Sequence, residues 1–577
     1  MNVTDQTNKI APAPPSAMAT TDLSGLSDHS CFLLYSISYP DRGFPLELDL
    51  TLGNLLAPPA RDKPSISDND QQERLDARHK AMAWLTPDAR EALSDSQRKD
   101  KVWQPALLEV GTDLHPHIRR LLGEVGVAEG ESPAQTFRLS DSALRLVQGE
   151  LPRYPQYMPK EERRPKVLSM KFWAAAQERL AARFGPGAPD TLGMHVEQFR
   201  LIVFHTGIGV MIVEVTFHHL DSAPLHPYWL VEAVNSLARF NTLCWFRGGK
   251  DSDERRLKEL EGADTFTLGS IVRTLSGTGD IGEQARRVFT ASYVQFDQAP
   301  DPAAARRYAI QLARHYTDHY HMAAGMQGVR FVADFENILH ALTIEGSATL
   351  VDLTPPRGLT TPEFLKQFKS VTFKRHYLPV LALAFHEFTT LLHLSNDARF
   401  WPALVNKTNI GAPETDTLGR LERLRNQILR FRLCYRFSYV SYVNMHNTVN
   451  KALREAFGLD HMLHELGQDT AEITAYLEQV ISKQTAHKFR LMSAVGAAGL
   501  GFLTTLAIVK EGLEVAPIVS HKTAGVVAAG ISLLVAIVSG RVTWAKTGYP
   551  HVDEHGHGLM HHALEEHVKH VVLKDKC

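Results

Sequence analysis

The chain has 577 residues, enough for roughly two to four domains, and its 44% apolar and 22% charged residues are the balance of a largely water-soluble globular protein. Its 62 basic and 64 acidic residues leave a formal net charge of -2, which gives no bulk electrostatic reason to bind nucleic acid directly. The four cysteines, Cys31, Cys244, Cys434 and Cys577, lie far apart and form no CxxC pair, which argues against a zinc ribbon or a disulfide framework and fits a reducing compartment.

In chain order, residues 1–28 are rich in Pro, Ala, Ser and Thr and lack an apolar signal region; they read as a disordered leader that is not secretory, leaving the bulk of the chain in the cytoplasm. Residues 29–371 read as a cytoplasmic α/β domain. Strands are expected at "CFLLYSISYP" (31–40), "FPLELDLTL" (44–52), "VRFVADF" (329–335) and "ATLVDLT" (348–354). The clearest signal is Phe199–Phe217, two β-rich runs joined by "HTGIG", a hairpin. Helices are expected at "HPYWLVEAVNSLARF" (226–240) and "EQARRVF" (283–289). Charged stretches at Ala57–Lys101, Gly149–Lys166 and Arg247–Asp264, the first two containing proline, read as surface loops and helices.

Three motifs in this region suggest chemistry without completing it. "GTGDIG" (Gly277–Gly282) fits the dinucleotide-binding glycine pattern, but that site needs a buried apolar strand before it and "SIVRTLS" carries Arg273; a loop is expected. "RHYTDHYHM" places His315 and His319 one helical turn apart, a pair able to share a metal or simply to form a polar helix face. "HEFTT" (His386–Thr390) resembles the zinc-protease HExxH, but Thr390 replaces the second imidazole that holding zinc from one helix face requires. No nucleophile–base–acid set is readable, and the chain is not expected to be an enzyme.

Residues 372–488 read as a helical stalk. "YLPVLALAFHEFTTLLHL" (Tyr377–Leu394) holds His386, Glu387 and His393 and is expected to be a buried helix of the soluble part, not a membrane span. Leu418, Leu421, Leu424, Ile428 and Leu429 recur at helical steps in a stretch expected to be helical from Asp416 to Leu459. After a break, Asp469 as N-cap with Glu472 three residues on predicts a new helix running from about Thr470 through Val509.

Leu491–Val509 ("LMSAVGAAGLGFLTTLAIV") is nineteen residues without a charge, close to the ~20 needed to cross hydrocarbon. A second uncharged run, Thr523–Gly540, follows after Lys510–Lys522. Two transmembrane helices, 491–509 and 523–543, are expected within residues 489–546. Lys483, Lys488 and Arg490 before the pair and Arg541 and Lys546 after it place both termini in the cytoplasm and the connecting loop outside, in a cell inner membrane. Small residues Ser493, Ala497 and Gly501 recur along the first span, and Thr504 and Thr505 offer hydroxyls. A ring of identical subunits would let this span line a pore; a plain anchor with a helix-contact face fits the residues equally well. Glu511 and Glu514 in the connecting loop would draw cations to an outer mouth. Residues 547–577 form a His-rich cytoplasmic tail with seven histidines, among them His555, His557, His561 and His562, able to bind Zn²⁺, Ni²⁺ or Co²⁺.

The order of these parts resembles the two-span CorA family of divalent-cation channels and transporters, most clearly over Thr372–Lys546. The resemblance implies an α/β cytoplasmic domain, a long helical stalk and a two-helix transmembrane hairpin, assembled as a homopentamer in the lipid bilayer with the first span lining the pore. It implies a divalent cation (Mg, Co, Ni or Zn) as transported or regulatory ion. The family's Gly-Met-Asn signature after the first span is replaced here by "AIVKEGLEVAPIVSHK", and the soluble domain is larger than in a typical magnesium channel. Divergent CorA-like members without the signature occur as membrane effectors of prokaryotic antiviral systems, including CRISPR-associated ones, gated by a small nucleotide-type ligand. The sequence thus leaves three readings open: a channel or transporter, a ligand-gated effector, and a membrane-anchored binding domain with no pore.

Overall fold

The computed structural model describes residues 26–39, 48, 50–56, 95–106, 108–122, 133–148, 167–220, 223–238, 242–247, 266–277, 288–298, 300–316, 328–354, 362–399, 415–435, 437 and 439–514. Twelve strands among them form one sheet: β1 (Leu26–Ser38), β2 (Trp103–Pro105), β3 (Ala134–Leu139), β4 (Val167–Lys171), β5 (Thr191–Phe204), β6 (Ile208–His218), β7 (Leu243–Arg247), β8 (Phe266–Thr267), β9 (Phe289–Phe296), β10 (Arg330–Phe335), β11 (Ile338–Leu342) and β12 (Gly346–Asp352). The order is β10-β11-β12-β9-β1-β6-β5-β4-β7-β8, with β3 on the far end of β5 and β2 beside it. Only β9 and β12 pair in parallel; the other pairings are antiparallel.

The two faces of this sheet differ in chemistry. One carries Cys31, Leu33, Tyr35, Ile37, Phe199, Leu201, Val203, Met211, Val213 and Val215, all buried in a contiguous apolar core. Side chains alternate along a strand, so these odd-numbered positions share a face. Helices α1 (Asp141–Val147), α2 (Ala174–Phe184), α3 (Pro227–Ala238), α4 (Leu268–Leu275) and α5 (Pro302–Arg314) contribute to the same core through residues such as Val147, Leu180, Trp229, Ile271 and Leu312. Each such large side chain contributes roughly 1.5–3 kcal/mol by burial.

The opposite face carries Ser30, Arg138, Gln198, Arg200, Glu214, Tyr293, Gln295, His340 and Thr349 among its apolar residues. It is covered by α6 (Pro362–Gln367), a π-helical segment (Phe368–Tyr377), α7 (Leu378–Arg399) and α9 (Asn444–Phe457). Ring contacts mark the seam: Phe373 on Phe32 and Tyr293, Tyr377 on His340, Phe385 on Phe289 and His386 on Phe204.

Glu363–Ala398 is long and apolar enough to cross a membrane, but 72% of its most apolar window is buried inside the protein, so α7 is a core helix, as its sequence suggested. The chain then forms α8 (Thr415–Cys434), α9 and α10 (Leu459–Glu514), the last 56 residues long. By internal contacts the chain divides into two units, residues 1–409 with 426–468 and residues 410–425 with 469–577. Residues 372–409 and 426–468, expected in the stalk, therefore group with the sheet.

Several expectations need correction. The strand β1 begins at Leu26, inside the expected leader. Thr51 makes a single bridge to Lys101 and Leu52 opens a helical turn, so 44–52 is not one strand. Phe289 opens β9, so "EQARRVF" does not end in a helix. "SIVRTLS" lies in and at the end of α4, a helix where the dinucleotide site needs a strand. The helix expected over 416–459 breaks at Cys434, because 440–442 leave it to bond 113–115: Tyr442 N–H donates to the Asp113 carbonyl at 2.9 Å and His115 N–H to the Val440 carbonyl at 3.0 Å. The next helix starts at Leu459, not near Thr470, because Gly458 takes the left-handed conformation (φ +67) that ends α9 and turns the chain into α10. Asp469 is therefore an interior residue of α10 and not its N-cap. That helix also runs through Glu514, so Glu511 and Glu514 are helical and not part of a loop.

Candidate functional site

The seam between the sheet and the π-helical segment carries a row of ion pairs around one buried carboxylate, Glu214. Glu214 on β6 is buried. It accepts from Ser30 Oγ at 3.2 Å and pairs with Lys374 Nζ at 2.7 Å. Lys369, one turn earlier, pairs with Asp28 at 2.8 Å and donates to the His29 carbonyl at 3.3 Å. Arg375 reaches Glu109 at 3.0 Å. π-Helical geometry is rare and gathers at functional places; here a segment of ten residues sends Lys369, Lys374, Arg375 and His376 to four different partners.

Gly111 fits under the next residue of that segment. A Cβ at Gly111 would come within 1.8 Å of His376 Nε2, so only glycine admits the imidazole. His376 Nε2 lies 3.5 Å from Asp113 Oδ2, and the ring stacks on His446 with centroids 4.7 Å apart. His446 exchanges a hydrogen bond of 2.9 Å with Ser441 Oγ, which donates to the Asp113 carbonyl at 2.7 Å. Tyr377 meets His446 edge-on and lies against His340, whose Nδ1 is 2.9 Å from Thr349 Oγ1. Burial lowers the pKa of both His340 and His446 to about 4; at His446 the neighbouring His376 adds to the fall and Asp113 opposes it.

His386 and Glu387, from "HEFTT", have structural partners. His386 Nε2 is 2.9 Å from Thr206 Oγ1, its ring lies on Phe204, and burial lowers its pKa to about 3. Glu387 accepts from Arg454 Nη1 through both oxygens, at 2.7 and 2.5 Å, while Arg454 Nη2 donates to Asp460 in the first turn of α10 at 2.9 Å. A cavity with room for about one water lies beside them, lined also by Tyr435, Val440 and Asn450. Arg454 thus ties α7, α9 and the start of α10 together. Replacing Arg454 by Met removes the cation from which both oxygens of the buried Glu387 accept, and about 3–5 kcal/mol of stability is lost; the check is the urea midpoint of the variant, with Glu387→Gln/Arg454→Met recovering much of the loss.

The sequence-predicted residues lie elsewhere. Ser493, Ala497, Gly501, Thr504 and Thr505 are all on α10. Ser493 and Thr504 are exposed, and Ala497, Gly501 and Thr505 half-buried. The Thr504 hydroxyl donates to the Leu500 carbonyl at 2.8 Å and that of Thr505 to the Gly501 carbonyl, so both donors are spent within the helix and only oxygen lone pairs remain for an ion. Around them Phe489, Met492, Leu500, Leu503 and Ile508 are 61–74% exposed and Val495 is 45% exposed. Glu511 and Glu514 lie in the last turn of α10. The second run (523–543) and the tail histidines His555, His557, His561 and His562 lie outside the described residues. His315 ends α5 in the left-handed conformation (φ 56), with Nε2 2.6 Å from Thr290 Oγ1, and His319 is outside the described residues. Among the described residues no group of three or more His, Cys, Asp or Glu is placed to hold a metal. Cys31 and Cys244 are buried free thiols and Cys434 is an exposed one.

Compared with known proteins, the chain matches no family model, and no curated protein matches it.

Sequence reasoning missed the seam. Its charges sit on separate strands and a distant helix, and only the register brings Gln198 beside Glu214 or Phe32 beside Glu214. The one local signal was the alternation of polar Gln198 and Arg200 with apolar neighbours in the hairpin.

Proposed function

We propose that the chain is a membrane protein of the CorA-like plan, a homopentameric cation channel or transporter of the cell inner membrane with both termini cytoplasmic. The observation that carries this reading is the surface of α10. Its charge-free run presents Met492, Val495, Leu500, Leu503 and Ile508 outward. An exposed apolar surface of that extent is a liability in water and costs nothing in hydrocarbon. The side of the helix with Ser493, Ala497 and Gly501 suits close helix contact or a narrow conduit. The transported or regulatory ion is a divalent cation, drawn by Glu511 and Glu514 and sensed by His555, His557, His561 and His562. A ligand-gated effector of the same architecture is the second reading. The ion pairs between the sheet and the π-helical segment favour it, because an interface of discrete charge pairs can re-pair when a ligand adds charge.

Flux of Mg²⁺, Ni²⁺ and K⁺ into liposomes carrying the purified full-length protein tests this. Divalent flux that falls in the Glu511→Ala/Glu514→Ala protein is the expected result. No flux of any ion, with a monomer or dimer in detergent, would leave an anchored binding domain.

A further inference from the structure

The edge of the polar seam holds two arginines in an arrangement that folding alone disfavours. Arg138 on β3 and Arg200 on β5 are direct cross-strand partners on one face of the sheet. Like charges directly opposite each other destabilise a strand pair. Among the described residues Arg138 makes no ion pair, and the hydrogen bond from Arg200 goes from Nε to a neutral acceptor, Gln198 Oε1, at 2.8 Å. Two carboxylates are near and both are engaged: Glu214 by Lys374 and Ser30, Glu109 by Arg375. Arg138, Arg200, Lys374 and Arg375 thus face Glu109 and Glu214, leaving an excess of two positive charges. A small cavity opens there, lined by Phe32, Gln198, Arg200, Ile212, Glu214, Lys374 and Leu378, with room for about one water and none for a larger anion.

We propose that Arg138 and Arg200 form the two jaws of a binding site for a compact phosphate-type anion. Planar guanidinium groups present paired N–H donors that match phosphate oxygens, and two of them on neighbouring strands span one phosphoryl group or a diphosphate. Bound charge there would also compete with Glu214 for Lys374, which gives the π-helical segment a reason to respond. The site lies wholly within the sheet unit and does not rest on the membrane reading.

Titration calorimetry of the full-length protein in detergent, at constant ionic strength, with inorganic phosphate and then pyrophosphate is the test. Saturable binding, tighter for pyrophosphate, is expected. Arg138→Gln weakens it about tenfold or more, and Arg138→Gln/Arg200→Gln abolishes it. Arg138 is exposed, so its loss reports binding and not unfolding, and Arg145→Gln on the other side of the sheet leaves affinity unchanged. Absence of saturable binding by either anion, or equal affinity in the Arg138→Gln protein, overturns the proposal. Failure of the flux experiment would not touch it.

Discussion

On the membrane reading proposed for α10, a Leu500→Arg/Leu503→Arg protein should no longer be held in the membrane. Both side chains point outward from the middle of the charge-free run of α10. A charge near the centre of a span costs about 2.5–3.5 kcal/mol in insertion, so the pair costs about 5–7 kcal/mol, enough to reverse a favourable equilibrium. Alkaline carbonate extraction of membranes reads the result: the parent chain stays in the pellet and the variant moves to the supernatant or is degraded. A Leu433→Arg control changes another exposed leucine, on α8, and should stay in the pellet. If the double variant also stays, Leu500 and Leu503 do not meet lipid, and α10 is covered by protein instead.

What the sequence made legible follows from the range of the signal. The hairpin at Phe199–Phe217 was readable because its alternation and its "HTGIG" turn lie within one short window, and β5 and β6 meet there as expected. β1, β10 and β12 were readable for the same reason. β9 was not: "FTASYVQF" is buried on both faces, so it lacks the alternation that marks a half-exposed strand. The break between α8 and α9 was invisible because its cause is non-local, the bonds from 440–442 to 113–115. Gly458 ended a helix where the capping pattern at Asp469 and Glu472 pointed later; a capping pair inside a helix has no free N–H groups to satisfy. The π-helical segment has no sequence signature, and the pairing of Arg138 with Arg200 depends on register between strands some sixty residues apart.

Acid should weaken the sheet unit before carboxylate protonation alone would account for it. His340, His386 and His446 are only 2%, 1% and 2% exposed. Their pKa values stand at about 4, 3 and 4, below the ordinary 6.5. The sign follows from proton counting. Above pH 6.5 neither the folded nor the unfolded chain protonates them, and they cost nothing. As pH falls from 6.5 toward 4, the unfolded chain takes up protons that the folded one refuses, so stability drops across that window. The depressions, from 6.5 to about 4 or 3, correspond to roughly 3–5 kcal/mol per imidazole at the acid end, an upper bound that relaxation reduces. The groups facing each ring decide how it yields: Thr349 and Tyr377 at His340, Thr206, Phe204 and Tyr435 at His386, and Asp113, His376, Ser441 and Tyr377 at His446. Asp113 is the one carboxylate among them, and it softens the fall at His446 only. The urea midpoint of the full-length protein, measured at pH 7.5, 6, 5 and 4.5, should therefore fall most steeply below pH 6. In the His340→Gln/His386→Gln protein the midpoint at pH 7.5 is lower, but the drop from pH 7.5 to 4.5 is smaller, because two of the groups that distinguish the folded from the unfolded chain are gone. An identical drop in both proteins would assign the acid response to carboxylates and remove the buried imidazoles from it.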